Sequence, residues 1–191
     1  TRIKRDLAFR ITIYLSLPLI SLHFFHWKVT TLGLVYPTLG QVREGFMLGI
    51  VMFIITAFYN HLEKETTEWN VKRDAIWALY FIFVNAFFEE LFYRGWMQTI
   101  IFSHIPFFPA NLLLSAFIFG IQHRLFFGSS VRNCVFYGVG GIFLGFVFYT
   151  SGNLMEVWTI HAFADLGLGG GKYLFHWGEW KDIPGKNIEP T

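Results

Sequence analysis

The stretch Gly95–His123, GWMQTIIFSHIPFFPANLLLSAFIFGIQH, contains no Asp, Glu, Lys or Arg. A bilayer core takes about 20 residues of α-helix, so this run is too long for one crossing. Its two prolines divide it. Proline has no N–H and clashes with the carbonyl four residues back, so one helix ends before Pro106 and the next begins near Pro109. Working outward, further uncharged stretches run Ile11–Trp27, Gly45–Leu62, Ala75–Phe88 and Asn133–Met155, followed by an apolar segment Val157–Leu168 broken only by Asp165. Together they predict an all-α, polytopic transmembrane helical bundle of about six spans, near residues 9–27, 44–61, 76–102, 108–123, 133–150 and 153–170.

The first run is too long for a signal-peptide core and no small-residue cleavage site follows it, so it is kept as a span, with a kink expected at Pro18. No second domain fits: the loops are short, no repeat is visible, and the one strongly polar connection is His61–Asp74. The chain therefore reads as a single integral-membrane domain over residues 1–191. Composition agrees. Of 191 residues, 54% are hydrophobic and 20% aromatic, and mean hydropathy is +0.45. Charged residues make up 15%, against roughly 25% in a soluble domain. That balance excludes a disordered chain, a coiled coil, a disulfide scaffold and a basic nucleic-acid binder. The aromatic residues read as lipid-facing and interfacial packing rather than as a base-stacking surface. The single Cys134 reads as a packing residue.

Lys and Arg are distributed asymmetrically. One set of alternate connections holds Arg2, Lys4, Arg5, Lys64, Lys72, Arg73, Arg124, Arg132, Lys172, Lys181 and Lys186, while the other holds only Lys28 and Arg43. The positive-inside rule then puts both termini in the cytoplasm, and the small size and minimal loops fit a plasma-membrane protein. Arg10 and Arg94 fall inside spans. Gly138, Gly140, Gly141 and Gly145 lie in the fifth span, where the Gly141-x-x-x-Gly145 spacing lets another helix approach closely. The short turn Thr150-Ser151-Gly152-Asn153 makes spans five and six antiparallel neighbours.

The residues that do not belong in hydrocarbon are Glu89, Glu90 and Arg94 in the third span, His123 ending the fourth, and His161 with Asp165 in the sixth. An ionisable group at a helix centre costs roughly 2.5–3.5 kcal/mol even on insertion scales, so such groups face a bundle interior or a water-filled cavity and mark function. Side chains four apart share a helix face. Glu90 and Arg94 can therefore pair, as can His161 and Asp165, while Phe119 lies one turn before His123. Glu89 shares its face with Asn85 and Tyr93, which leaves it without a cationic partner on its own helix and free to act as a base. Asn85 is a candidate support for the site. His23, His26, His104 and Glu156 read as structural, the last at a helix start where its charge suits the dipole.

These residues resemble a known family. Phe88-Glu89-Glu90-Leu91-Phe92-Tyr93-Arg94 resembles the EExxxR motif, Phe119-Gly120-Ile121-Gln122-His123 the FxxxH motif, and His161-Ala162-Phe163-Ala164-Asp165 the HxxxN/D motif of the CPBP (Abi) family of CAAX-processing and bacteriocin-processing intramembrane endopeptidases. The resemblance covers a catalytic core of about residues 75–170. It implies a glutamate-dependent intramembrane protease with no metal or other cofactor, acting on a membrane-anchored protein or peptide. By position, Glu89 and His123 would hold and activate the hydrolytic water, and Glu90 and Arg94 would orient the site. His161 and residue 165 would stabilise the oxyanion, with Asn85 and Phe119 in support. Where Asn is expected at 165 this chain has Asp, which donates to an oxyanion only when protonated. The alternative is that His161 is the sole donor, held in its tautomer by Asp165.

A depth difficulty accompanies this reading. Counting from an inner boundary at Ala75, Glu89 lies about 21 Å in, whereas His123, counted from an outer boundary at Pro109, lies near 9 Å from the inner face. Contact requires the third span to start well below the membrane surface or to tilt. Two other functions use the same residues. One is a metal-dependent hydrolase with Glu89, His123 and His161 as ligands, although no H-E-x-x-H is present. The other is a non-catalytic immunity, scaffold or transport protein, although no inverted repeat is visible.

Overall fold

The structure is a computed structural model that describes residues 2–62, 71–105 and 107–170. Pro106, Lys64, Lys172, Lys181, Lys186 and much of the polar connection after the second helix lie outside the described residues. Six helical segments make up the described chain: α1 over residues 2–24, α2 over Leu39–Leu62, α3 over residues 71–104, α4 over Phe108–Phe127, α5 over Val131–Ser151 and α6 over residues 154–170. The bundle is all-α. Four stretches are long and apolar enough to cross a membrane, namely Asp6–Phe24, Leu39–Asn60, Ala75–His104 and Val131–Ser151.

Local chemistry sets the boundaries. The α3–α4 turn falls next to Pro109: α3 ends in a tight turn at Phe102–His104, and α4 starts with Pro109 in its first turn, where the missing N–H costs nothing. Ser130 caps α5 by accepting from Asn133 N, and Asn153 caps α6 by accepting from Met155 N and Glu156 N. Gly128 and Gly152 end α4 and α5 at φ 69° and 63°, the left-handed conformation that lets the chain reverse. In α1 the helix continues through Pro18. The residues before it, Arg10–Leu15, widen to i→i+5 hydrogen bonding, which accommodates the donor that Pro18 lacks.

The connection after α1 is more structured than a plain loop. Residues Val29–Leu32 form a tight turn, Leu32 is buried, and Gly33 O accepts from Leu154 N at the start of α6. A Cβ on Gly95 would come within 2.9 Å of Leu32 O, so Gly95 in α3 lets this connection seat against the helix. Apolar packing divides into two zones. Leu91, Leu144, Leu154, Val157 and Ile160 belong to an aliphatic core among α3, α5 and α6, while Tyr14, Phe92, Tyr93 and Phe119 form an aromatic core among α1, α3 and α4. By contrast α2 shows Phe46, Ile50, Val51, Ile54 and Phe58 to the outside, an apolar surface suited to lipid.

Candidate active site

The two adjacent glutamates sit on Phe87–Glu90, a single α-helical turn between two stretches, Phe81–Ala86 and Leu91–Ile101, that make i→i+5 bonds. Such widened helices recur at functional sites. Consecutive helical residues point about 100° apart, so the two carboxylates leave α3 on different faces. Glu90 turns toward α5 and α6. Its Oε1 accepts from Arg94 Nη1 at 2.8 Å and from His161 Nδ1 at 2.5 Å, and both Glu90 and Arg94 are fully buried. Arg94 also donates from Nη2 to Gly141 O at 3.1 Å and lies 4.7 Å from the Phe119 ring.

The glycines of α5 serve this arrangement in two ways. A Cβ at Gly141 would meet Ala116 and Phe119 of α4 at 3.1–3.3 Å, and one at Gly145 would meet Leu112 at 2.6 Å, so their absence permits the close α4–α5 packing expected from the spacing. Their bare carbonyls also face α3. Gly141 O takes Arg94 and Gly145 O takes Gln98 Nε2 at 2.9 Å, so the i, i+4 pair of glycines matches the i, i+4 pair Arg94 and Gln98.

Glu89 turns the other way and, with no cationic partner on its own helix, takes one from another. Arg10 of α1 donates from Nη1 to Glu89 Oε1 at 2.9 Å, with both side chains 2% exposed. The partner comes from another helix, 79 residues away, where helical spacing could not reveal it. Arg10 also donates from Nε to Asp6 at 2.8 Å, and Tyr80 OH donates to that same carboxylate. The other oxygen of Glu89, Oε2, makes no hydrogen bond and lies 3.8 Å from His161 Nε2.

His161 thus stands between the two glutamates. Its Nδ1–H is taken by Glu90, and its Nε2 lies 3.5 Å from Asp165 Oδ1 as well as near Glu89. The short bond that orients the ring runs to Glu90, not to Asp165. Asp165 in turn accepts from Asn85 Nδ2 at 2.8 Å through Oδ2, which places Asn85 beside the site. His123 donates from Nδ1 to Phe119 O at 2.8 Å, since a carbonyl can only accept, and its ring packs 4.2 Å from Tyr137 and 5.1 Å from Phe119. His123, His161 and Asp165 share the wall of one cavity of about 340 Å³, lined also by Thr56, Phe119 and Tyr137. Val51, Ile55 and Val139 line it too and are exposed on the bundle's outer surface, so its rim between α2 and α5 is apolar. Glu89 lies behind His161 rather than on that wall. Among the described residues, no three His, Cys, Asp or Glu are arranged to hold a metal ion.

Register sets Glu89 and His123 at similar depths in the bundle. Asn111 of α4 donates to Gln98 O, and Ser115 Oγ to Tyr93 O, so α3 and α4 run antiparallel from their shared turn. Measured from that turn, Glu89 is about 13 residues down α3 from Phe102 and His123 about 14 residues down α4 from Pro109. The depth mismatch came from counting α3 from its start. Ala75–His104 is 30 residues long, about 45 Å, and outruns a 30 Å core.

The family model for Rce1-like type II CAAX prenyl endopeptidases matches residues 71–167, just over half of the 191-residue chain, and takes in Glu89, Glu90, Arg94, His123, His161 and Asp165. The chain belongs to this family. At that level it is a CAAX-type intramembrane endopeptidase and a membrane protein. No curated protein and no solved structure matches it. In this Rce1-like chain α1 lies outside the matched residues, and Arg10 with it. Also unanticipated were Tyr14, whose hydroxyl donates to Gln122, and Tyr137 against His123. The sequence carried one signal for the first of these, an arginine inside an apolar span.

Proposed function

We propose that this chain hydrolyses a peptide bond in a membrane-anchored protein or peptide with a water activated by Glu89 and His123, as a glutamic-type protease. Water is a poor nucleophile until a base takes its proton, and the tetrahedral intermediate needs donors for its oxyanion. Glu89 Oε2, which makes no hydrogen bond, is the basic atom. His123, its ring oriented by the Nδ1–H bond to Phe119 O, holds the water, and the proton that Glu89 takes from that water is delivered to the departing amine. Glu90 and Arg94 hold the His161 ring, and His161 Nε2, carrying a proton, is the oxyanion donor. Asp165, anchored by Asn85, lines the same pocket.

The observation that carries this reading is His161 held at 2.5 Å by Glu90, with its far nitrogen beside Glu89 Oε2, at the wall of a cavity shared with His123. The apolar rim supports a substrate arriving from the lipid. In proteoliposomes with a prenylated CAAX peptide, Glu89→Gln and His123→Ala are each expected to abolish cleavage while a chelator leaves it intact. Loss to chelator with recovery on adding zinc supports the metal reading instead, and unchanged cleavage in Glu89→Gln overturns the base assignment. We further propose six crossings of a plasma membrane with both termini cytoplasmic. Lys4→Cys should then label from the cytoplasmic side and Lys28→Cys from the opposite one.

A further inference from the structure

We infer that Arg10, on the first helix and outside the residues matched to the family, is the positioning residue for the catalytic base. The inference rests on the reading of Glu89 as that base. A carboxylate has two oxygens, and a general base works only if the correct one faces the water within hydrogen-bond reach. Arg10 Nη1 holds Glu89 Oε1 at 2.9 Å, which leaves Oε2, beside His161 Nε2, as the basic oxygen.

The arginine is itself fixed from both ends. Its Nε donates to Asp6, which also receives Tyr80 OH from α3, and its Nη1 lies 3.5 Å from Asn85 O, one turn before Glu89 on α3. Tyr14, one turn along α1, has its ring 5.5 Å from the guanidinium, and Arg10 is 2% exposed. The planar fork suits this task, because it bonds Asp6 and Glu89 at once in fixed geometry whereas an ammonium is a point charge on a flexible stem. A buried ion pair seldom adds net stability over apolar packing. The cost of keeping these charges in an apolar bundle is therefore better explained by orientation of Glu89 than by adhesion of α1 to α3.

The test uses the full chain in proteoliposomes and a quenched fluorescent prenylated CAAX peptide, with thermal melting in detergent for each variant. Arg10→Lys keeps the charge and should melt near wild type, with kcat down about 10-fold and KM unchanged. Arg10→Gln should lose about 10²-fold in kcat, the scale on which a misplaced catalytic group is felt, again at constant KM. That order, with Lys partly rescuing Gln, supports the inference. It is overturned if both variants cleave at the wild-type rate, or if their losses vanish once rates are normalised to the folded fraction. Should Arg10→Gln fail to fold, Arg10→Lys decides: a tenfold kcat loss at constant KM supports the inference, and a wild-type kcat overturns it. Glu89→Gln is run beside them. If it remains active, the reading of Glu89 as base has failed. If it is inactive while Arg10→Gln is fully active, only the role of Arg10 has failed.

Discussion

Glu89 and Glu90 are neighbours in sequence, are equally buried, and each is matched to an arginine and brought near the same imidazole, yet the chain supports them differently. Glu90 is built into α3: its arginine is one turn away, and its single oxygen Oε1 carries both Arg94 and His161. Glu89 is held from outside α3, by a helix 79 residues earlier. Each glutamate keeps an Oε2 without a hydrogen bond, so what separates them is where the donors come from and which nitrogen of His161 they meet: Nδ1 is bonded to Glu90 at 2.5 Å, while Nε2 stands 3.8 Å from Glu89 Oε2. On the proposed function, that difference goes with support for Glu90 and reaction for Glu89.

The sharpest way to break this contrast is to remove each charge without changing shape. Glu89→Gln should cut kcat by about 10³-fold, within the usual range for a general base, and melt close to wild type, because Arg10 keeps Asp6. Glu90→Gln should also be inactive, but chiefly through instability. Breaking a fully buried pair by removing one partner costs about 3–5 kcal/mol, and here the same oxygen also holds His161. Denaturant titration in detergent measures the difference. Equal stability losses for the two variants would erase the distinction.

This contrast also marks what could be read from the sequence. The helical stretches were legible, because uncharged runs and prolines act locally, though the first runs over residues 2–24 rather than 9–27 and the second over 39–62 rather than 44–61. So were Glu90–Arg94 and His161–Asp165, which lie one turn apart. The Arg10–Glu89 pair was not, since nothing local relates residues on different helices. Nor could periodicity show the i→i+5 stretches flanking the glutamates, or the seating of Leu32 against Gly95. The same limit explains His161: its i, i+4 spacing pointed to Asp165 as the group that orients it, whereas packing gave that bond to Glu90.

The glycines of α5 sharpen the comparison on the Glu90 side. A Cβ at Gly145 would sit 2.6 Å from Leu112 and 2.9 Å from Gln98, while one at Gly140 would have nothing within 4 Å. Gly145→Ala should therefore cost about 1–3 kcal/mol through overpacking and lower activity by loosening the helix that holds Arg94. Gly140→Ala, on the same helix, should be neutral to within about 0.5 kcal/mol. Thermal melts of the two variants suffice. A neutral Gly145→Ala would mean that α4 and α5 are not packed as closely as described.

The smallest expected effect concerns position 165, where the family motif admits either amide or acid. Asp165 uses Oδ2 to accept from Asn85 and presents Oδ1 at 3.5 Å to His161 Nε2. An asparagine there keeps a carbonyl oxygen for Asn85 and can direct its NH₂ toward the cavity as a donor to an oxyanion. Asp165→Asn should thus retain activity within about fivefold of wild type, roughly 1 kcal/mol of barrier. Asp165→Leu should lose far more, because it also leaves the Asn85 amide buried without an acceptor. Cleavage rates for the pair separate two roles. If Asp165→Asn is as inactive as Asp165→Leu, the negative charge at 165 is required, and Asp165 belongs with Glu89 among the reacting groups. If the amide is tolerated, position 165 orients and donates, and the charge that matters is that of Glu89, held by Arg10.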